Sequence, residues 1–140
     1  MDQGCEQEVI LIRGLPGSGK STKAKEISRT NIIHIENDIF HMKKSKYEFN
    51  LDLVPDAYTW VKGNVCYYLN QGKSVVISNT FISNKTIKAY VDIAKRYNAD
   101  VKIIEMKEHY GNIHDVPETV LKSMADNWEE LDNDNVQYLY

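Results

Sequence analysis

Short apolar runs alternate with longer stretches of helical periodicity along this chain. Val9–Ile12 is a continuous apolar run and reads as a first strand. Lys20 to Arg29 reads as a helix with Ala24 and Ile27 inward, and Asn31–Ile35 as a second strand. Residues 36–54 are irregular. A long helix opens near Pro55, because proline suits a first turn. Its apolar positions Ala57, Trp60, Val61, Val65, Tyr68 and Leu69 recur at i, i+3, i+4 and i+7, with Asn64 a polar exception on the stripe, and Gly72 closes it. Ser74–Ser78 is a short, β-branched third strand. Ile87, Tyr90, Val91 and Ala94 mark a third helix, and Val101–Met106 a fourth strand. Asp115-Val116-Pro117-Glu118 has the form of a helix start: a capping Asp, an early Pro and a first-turn Glu. The helix that follows is expected to bury Val120, Leu121, Met124, Trp128 and Leu131. Val136 to Tyr140 either adds a strand or packs as a tail.

Strands that alternate with helices predict an α/β fold: a mostly parallel sheet of four to five strands flanked by helices. The chain of 140 residues, 42% hydrophobic, suffices for one domain over residues 8–140, with residues 1–7 as an N-terminal tail. A net charge of −3 provides no global field for a polyanion, so a nucleic-acid partner needs a local patch. Lys43, Lys44 and Lys46, followed by Tyr47 and Phe49, are one such patch; a solvated loop anchored by its aromatics is the other reading. Cys66 falls in the apolar pattern and reads as a small core residue, while Cys5 sits in the tail. Cysteine usage without a signal segment suggests a reducing, cytoplasmic setting. No apolar stretch approaches the roughly 20 residues needed to span a bilayer.

Directly after the first apolar run comes Arg13-Gly14-Leu15-Pro16-Gly17-Ser18-Gly19-Lys20-Ser21-Thr22, which contains the full P-loop pattern Gly14-x4-Gly19-Lys20-Ser21. Glycines let successive backbone N–H groups turn inward around phosphate oxygens. Lys20 is placed to reach the β- and γ-phosphates and the Ser21 hydroxyl to ligate Mg²⁺, with the N-terminal end of the following helix adding positive charge. Strand, glycine-rich loop and helix together predict a P-loop NTPase fold that binds Mg²⁺-ATP through residues 14–22.

In a parallel sheet the ligand sits at the carboxyl ends of the strands. Glu36-Asn37-Asp38 follows the second strand. Asp38 is the candidate general base for an attacking hydroxyl, or else a turn cap, and Glu36 a weaker candidate. Asn79 and Thr80 follow the third strand and either line the acceptor site or make the turn. The stretch from Lys107 to Val116 follows the fourth. It holds Lys107, His109 and His114 but none of the chain's arginines, which are Arg13, Arg29 and Arg96. Phosphoryl transfer commonly uses a cation over the transferring group. Lys107 is the best placed of these, and a partner or second subunit supplying an arginine is the alternative.

From residue 9 to about residue 131 the chain resembles the polynucleotide-kinase-like P-loop family, which includes phage-type polynucleotide 5′-kinases. The matching pieces are residues 13–22, Asn37-Asp38, Tyr47-Glu48-Phe49, Ala57-Tyr58-Thr59-Trp60, residues 72–80, and Val116-Pro117-Glu118 leading to Met124 and Trp128-Glu129. The resemblance implies Mg²⁺-ATP and transfer of the γ-phosphate to a nucleic-acid 5′-hydroxyl. It matches Asp38 to the general base, Lys20 and Ser21 to the phosphate- and metal-binding pair, and Thr80 to the acceptor site. This chain departs from the family where Asn79 and Phe81 stand in place of an Asp and a polar residue. Its lid is also shortened, with Gly111-Asn112 where an arginine is usual. The alternatives are a small-metabolite or nucleoside kinase, and a catalytically weakened nucleotide-binding regulatory module.

Overall fold

The computed structural model describes residues 7–29, 31–36, 54–107 and 117–140. Four strands form one parallel sheet: β1 (Glu8–Arg13), β2 (Ile32–Glu36), β3 (Ser74–Asn79) and β4 (Asp100–Glu105), in the order β2-β3-β1-β4. Among the described residues four helices accompany them: α1 (Lys20–Ile27), α2 (Val54–Asn70), α3 (Asn84–Arg96) and α4 (Glu118–Asp126), with a short 3-10 helix at Val136–Tyr138.

Both faces of the sheet are covered, which is why its strands read as apolar runs rather than alternating ones. Val9, Leu11, Val75, Ile77 and Ile103 share one core with Val61, Val65 and Leu69 of α2 and with Ile87, Tyr90 and Val91 of α3. Ile10, Ile12 and Val76 point the other way, against Ala24 of α1. Cys66 is half-buried against the first core, as a small apolar residue would be. Asn64, the polar exception on the α2 stripe, donates its side-chain amide to the Trp60 carbonyl at 2.8 Å.

Several boundaries differ from the sequence reading, each for a local reason. α1 ends at Ile27 because Ser28 turns extended (φ −65°, ψ 143°). Arg29 and Ile32 then exchange backbone hydrogen bonds in a tight turn, which delays β2 by a residue. β3 continues through Asn79, so that residue belongs to the sheet rather than to a turn. The pairing of β4 with β1, from Glu8↔Asp100 through Arg13↔Glu105, starts and ends β4 one residue early. Gln7, expected in the tail, donates to the Leu69 and Lys73 carbonyls at 2.9 and 2.8 Å. The largest difference is α4. Its N-cap is Pro117, the expected cap Asp115 lying outside the described residues, and it fully buries no side chain. It stops at Asp126, where the Asn127 side-chain amide donates to the Ser123 carbonyl at 2.7 Å. Trp128 and Leu131 therefore lie in the segment after the helix. Val136–Tyr140 forms neither a full strand nor a loose tail: after the 3-10 helix, Leu139 makes a single parallel bridge to Ile103.

Candidate functional site

β1 lies between β3 and β4, so the loop leaving its carboxyl end is flanked by both neighbours. That loop carries Gly14, Leu15, Pro16, Gly17, Ser18 and Gly19 into α1. At Gly14 a side chain has no room: an added Cβ would collide with the Ser18 hydroxyl and lie 2.8 Å from the Met106 carbonyl. Gly17 and Gly19 sit at φ 86° and 89°, a region that favours glycine. The Ser18 N–H donates to the Leu15 carbonyl at 3.1 Å and closes the turn. The side chain of Ser18 is 2% exposed, and its hydroxyl has no hydrogen-bond partner among the described residues. Gly19 is the N-cap of α1 and has no side chain to cap the helix's first N–H groups. A tightly wound loop, a buried hydroxyl and an uncapped helix start together fit an anionic ligand. The Lys20 ammonium donates to the Leu15 carbonyl at 3.0 Å, which holds it across the loop. Ser21 is half-buried at the start of α1, and Thr22 is exposed.

Asn79 is in register with Arg13, the residue before the loop, so the P-loop and the end of β3 meet. It is 8% exposed. Its Oδ1 accepts from the Thr80 N–H at 3.1 Å, while its Nδ2 has no partner among the described residues. Lys107 stands two residues past β4, at the same edge of the sheet, 77% exposed, with its ammonium 3.9 Å from Glu105. Glu36 ends β2 in register with Ser78. Asp38, Lys43, Lys44, Lys46, Tyr47, Phe49, His109, Gly111, Asn112 and His114 lie outside the described residues.

The family model described as an AAA domain matches residues 9–109. The chain is an AAA-domain P-loop protein. Human NEDD4-binding protein 2 is 24% identical over 155 residues; the match takes in 89% of this chain and 9% of that protein's length. Among solved structures, one from a Pnkp1/Rnl/Hen1 complex superposes with a TM-score of 0.63 at 21% identity, covering 87% of this chain and 40% of the other. An APS kinase of Mycobacterium tuberculosis superposes with a TM-score of 0.59 at 13% identity, covering 89% of this AAA-domain protein and 99% of the kinase. These likenesses establish a P-loop kinase-like fold. The AAA-domain protein thus spans under half of the first two. No helix among its described residues is long and apolar enough to cross a membrane.

One residue at this edge escapes a reading of sequence. Arg13 is fully buried at the end of β1. Its Nη1 pairs with Glu105 at 2.8 Å, its Nε and Nη2 donate to the Phe81 carbonyl at 3.1 and 2.9 Å, and its Nη2 also donates to the Glu129 carbonyl at 2.8 Å. The Trp128 ring covers the guanidinium at 3.9 Å. Burial lowers the Arg13 pKa and Glu105 opposes the shift only in part; a guanidinium is basic enough to keep its charge all the same. The available signal was parity: Val9, Leu11 and Arg13 point to the same face, and a charge at a core-facing position demands partners.

Proposed function

We propose that this domain binds Mg²⁺-ATP and transfers the γ-phosphate to a 5′-hydroxyl of a nucleic acid. The observation that carries the reading is the loop at Gly14–Thr22, wound too tightly for a side chain at Gly14 and holding a buried Ser18 hydroxyl without a partner. Backbone N–H groups of that loop and the Lys20 ammonium would bind the phosphates. Ser21 would hold Mg²⁺, an ion that typically takes few protein ligands and completes its shell with substrate phosphates and water, and that neutralises charge on the transferring group.

Asp38 accepts the proton of the attacking hydroxyl on this reading, as its carboxylate is the acidic group nearest the end of β2 in sequence after Glu36. The new bond joins the acceptor oxygen to the γ-phosphorus, the bond to the bridging β,γ-oxygen breaks, and ADP leaves. Asn79 and Thr80 line the acceptor side. Lys107, exposed at the same edge, swings from Glu105 toward the transferring group, or a partner's arginine takes that role.

The test is transfer of labelled γ-phosphate from Mg²⁺-ATP to a 5′-hydroxyl oligonucleotide. Lys20→Ala is expected to lose both ATP binding and transfer. Asp38→Ala is expected to keep ATP binding and lose transfer; transfer retained in that variant rules out Asp38 as the base. A mononucleoside outperforming the oligonucleotide would favour a small acceptor, a reading supported by the near-complete overlap with the APS kinase. Tight ATP binding with no acceptor at all would favour a regulatory module, for which the uncharged Asn79 speaks.

A further inference from the structure

The loop between β3 and α3 adopts an unfavourable backbone conformation. Phe81 sits at φ 48°, in the left-handed region, although it carries a bulky side chain. An L-residue is strained there, so the surrounding structure must hold it. Its ring is 2% exposed and packs edge-on against Tyr90, centroids 5.5 Å apart. Its carbonyl accepts two N–H groups of Arg13, and the next carbonyl, of Ile82, accepts Arg13 Nη2 at 3.3 Å and the Glu129 N–H at 2.9 Å. The Glu129 carboxylate accepts the Asn84 N–H at 2.9 Å, at the positive end of α3. Asn135, itself buried, donates to the Asn84 side-chain oxygen at 3.0 Å. Arg13 therefore clamps this loop to the strand that carries the P-loop, and the chain after α4 closes the clamp from outside.

The loop begins at Thr80, next to Asn79, whose buried Nδ2 has no partner among the described residues. A buried donor left without an acceptor calls for an explanation, and a ligand oxygen is one that its place beside the P-loop strand supplies. We propose that Arg13 is a positioning residue for the acceptor: by fixing the Phe81 and Ile82 carbonyls, it holds Asn79 and Thr80 in the orientation that meets the acceptor hydroxyl. The inference rests on the kinase reading above. Arg13 does not touch the reacting atoms, because its hydrogen bonds go to Glu105 and to loop carbonyls. The planar fork matters, since a lysine keeps the charge opposite Glu105 but cannot span Phe81, Ile82 and Glu129 together.

The experiment compares wild type with Arg13→Lys, using ATP binding, oligonucleotide binding and steady-state transfer. The double variant Arg13→Met/Glu105→Gln removes the charge pair as a unit, should the lysine variant fail to fold. In a folded variant, ATP affinity is expected to stay within about twofold, while the oligonucleotide KM and dissociation constant rise by roughly ten- to a hundredfold, the scale of a misplaced positioning group. Amide exchange at Phe81, Ile82 and Ser83 is expected to speed up while that of Ile10–Ile12 does not. ATP and acceptor binding weakening together, or neither changing, overturns the proposal and leaves Arg13 a purely structural residue. Wild-type transfer reads the kinase proposal separately. If wild type binds the oligonucleotide without phosphorylating it, the kinase reading fails and the binding and exchange comparison still decides the role of Arg13.

Discussion

Two residues flanking one peptide bond set the limits of the site. Gly14 is confined by the Met106 carbonyl and the Ser18 hydroxyl, so Gly14→Ala forces the loop or β4 to shift. Overpacking of this kind costs about 1–3 kcal/mol. Gly14→Ala is expected to lower the melting temperature accordingly and to abolish ATP binding by calorimetry, whereas a surface change such as Lys88→Ala leaves both near wild type. Arg13, its neighbour, is a buried charge balanced by Glu105. Removing one partner of a buried pair typically costs about 3–5 kcal/mol. Glu105→Ala is therefore expected to destabilise the domain by that order in urea unfolding, far more than Lys107→Ala, whose ammonium is exposed and 3.9 Å from the same carboxylate. The P-loop was legible in the sequence because its chemistry is local: glycines, lysine and serine at fixed spacing. Arg13 was not, because its partners at Phe81, Glu105 and Glu129 are remote along the chain, and no spacing rule links them.

At the scale of elements, apolar periodicity revealed what packs on both sides and blurred what packs on one. β1, β3 and α2 face the main core and were read to within a residue or two, and the positions that marked α3, Ile87, Tyr90, Val91 and Ala94, are all buried. α4 was read too long, because Trp128 and Leu131 continue the helical rhythm of Val120, Leu121 and Met124. Trp128 instead caps the Arg13 guanidinium, a contact that periodicity cannot distinguish from burial in a helix. Helix ends show the same division. α2 and α3 finish in matching ways: the Lys73 N–H reaches the Tyr68 carbonyl at 3.0 Å, and the Ala99 N–H the Ala94 carbonyl at 2.9 Å. The left-handed residue is Gly72 in the first and Asn98, at φ 56°, in the second. Glycine announced its helix end and asparagine did not. Asn98→Ala places an ordinary side chain in that region and is expected to cost about 1 kcal/mol in thermal unfolding, whereas Asn98→Gly is expected to be close to neutral.

Over the whole molecule, the outer strand β4 is tied to both ends of the described chain. Lys102 donates to Glu8 at 2.8 Å and lies 4.9 Å from the centre of the Tyr140 ring. The hydrogen bond to Glu8 is the leading cause of a raised Lys102 pKa. A raised native pKa adds stability while the lysine is charged, in full below its unfolded value near about 10.4, and loses it as pH climbs through the native value. Lys102→Met is therefore expected to cost under about 1 kcal/mol near neutral pH, as for a partly exposed pair. The gap to wild type should close in alkaline buffer as the lysine deprotonates. The sheet order has a further consequence, for synthesis. β1 emerges first but pairs only with strands made much later: Glu8 bonds Ser74, 66 residues on, and Arg13 bonds Glu105, 92 residues on. At roughly 5–20 residues per second, a nascent β1 waits about 3–13 s for its first neighbour. The Glu129 carbonyl that completes the Arg13 clamp comes 116 residues after the arginine. A ribosome stalled between Asn79 and Glu105 would hold a chain whose phosphate loop is fully translated but whose supporting strand still carries an arginine without its counter-ion.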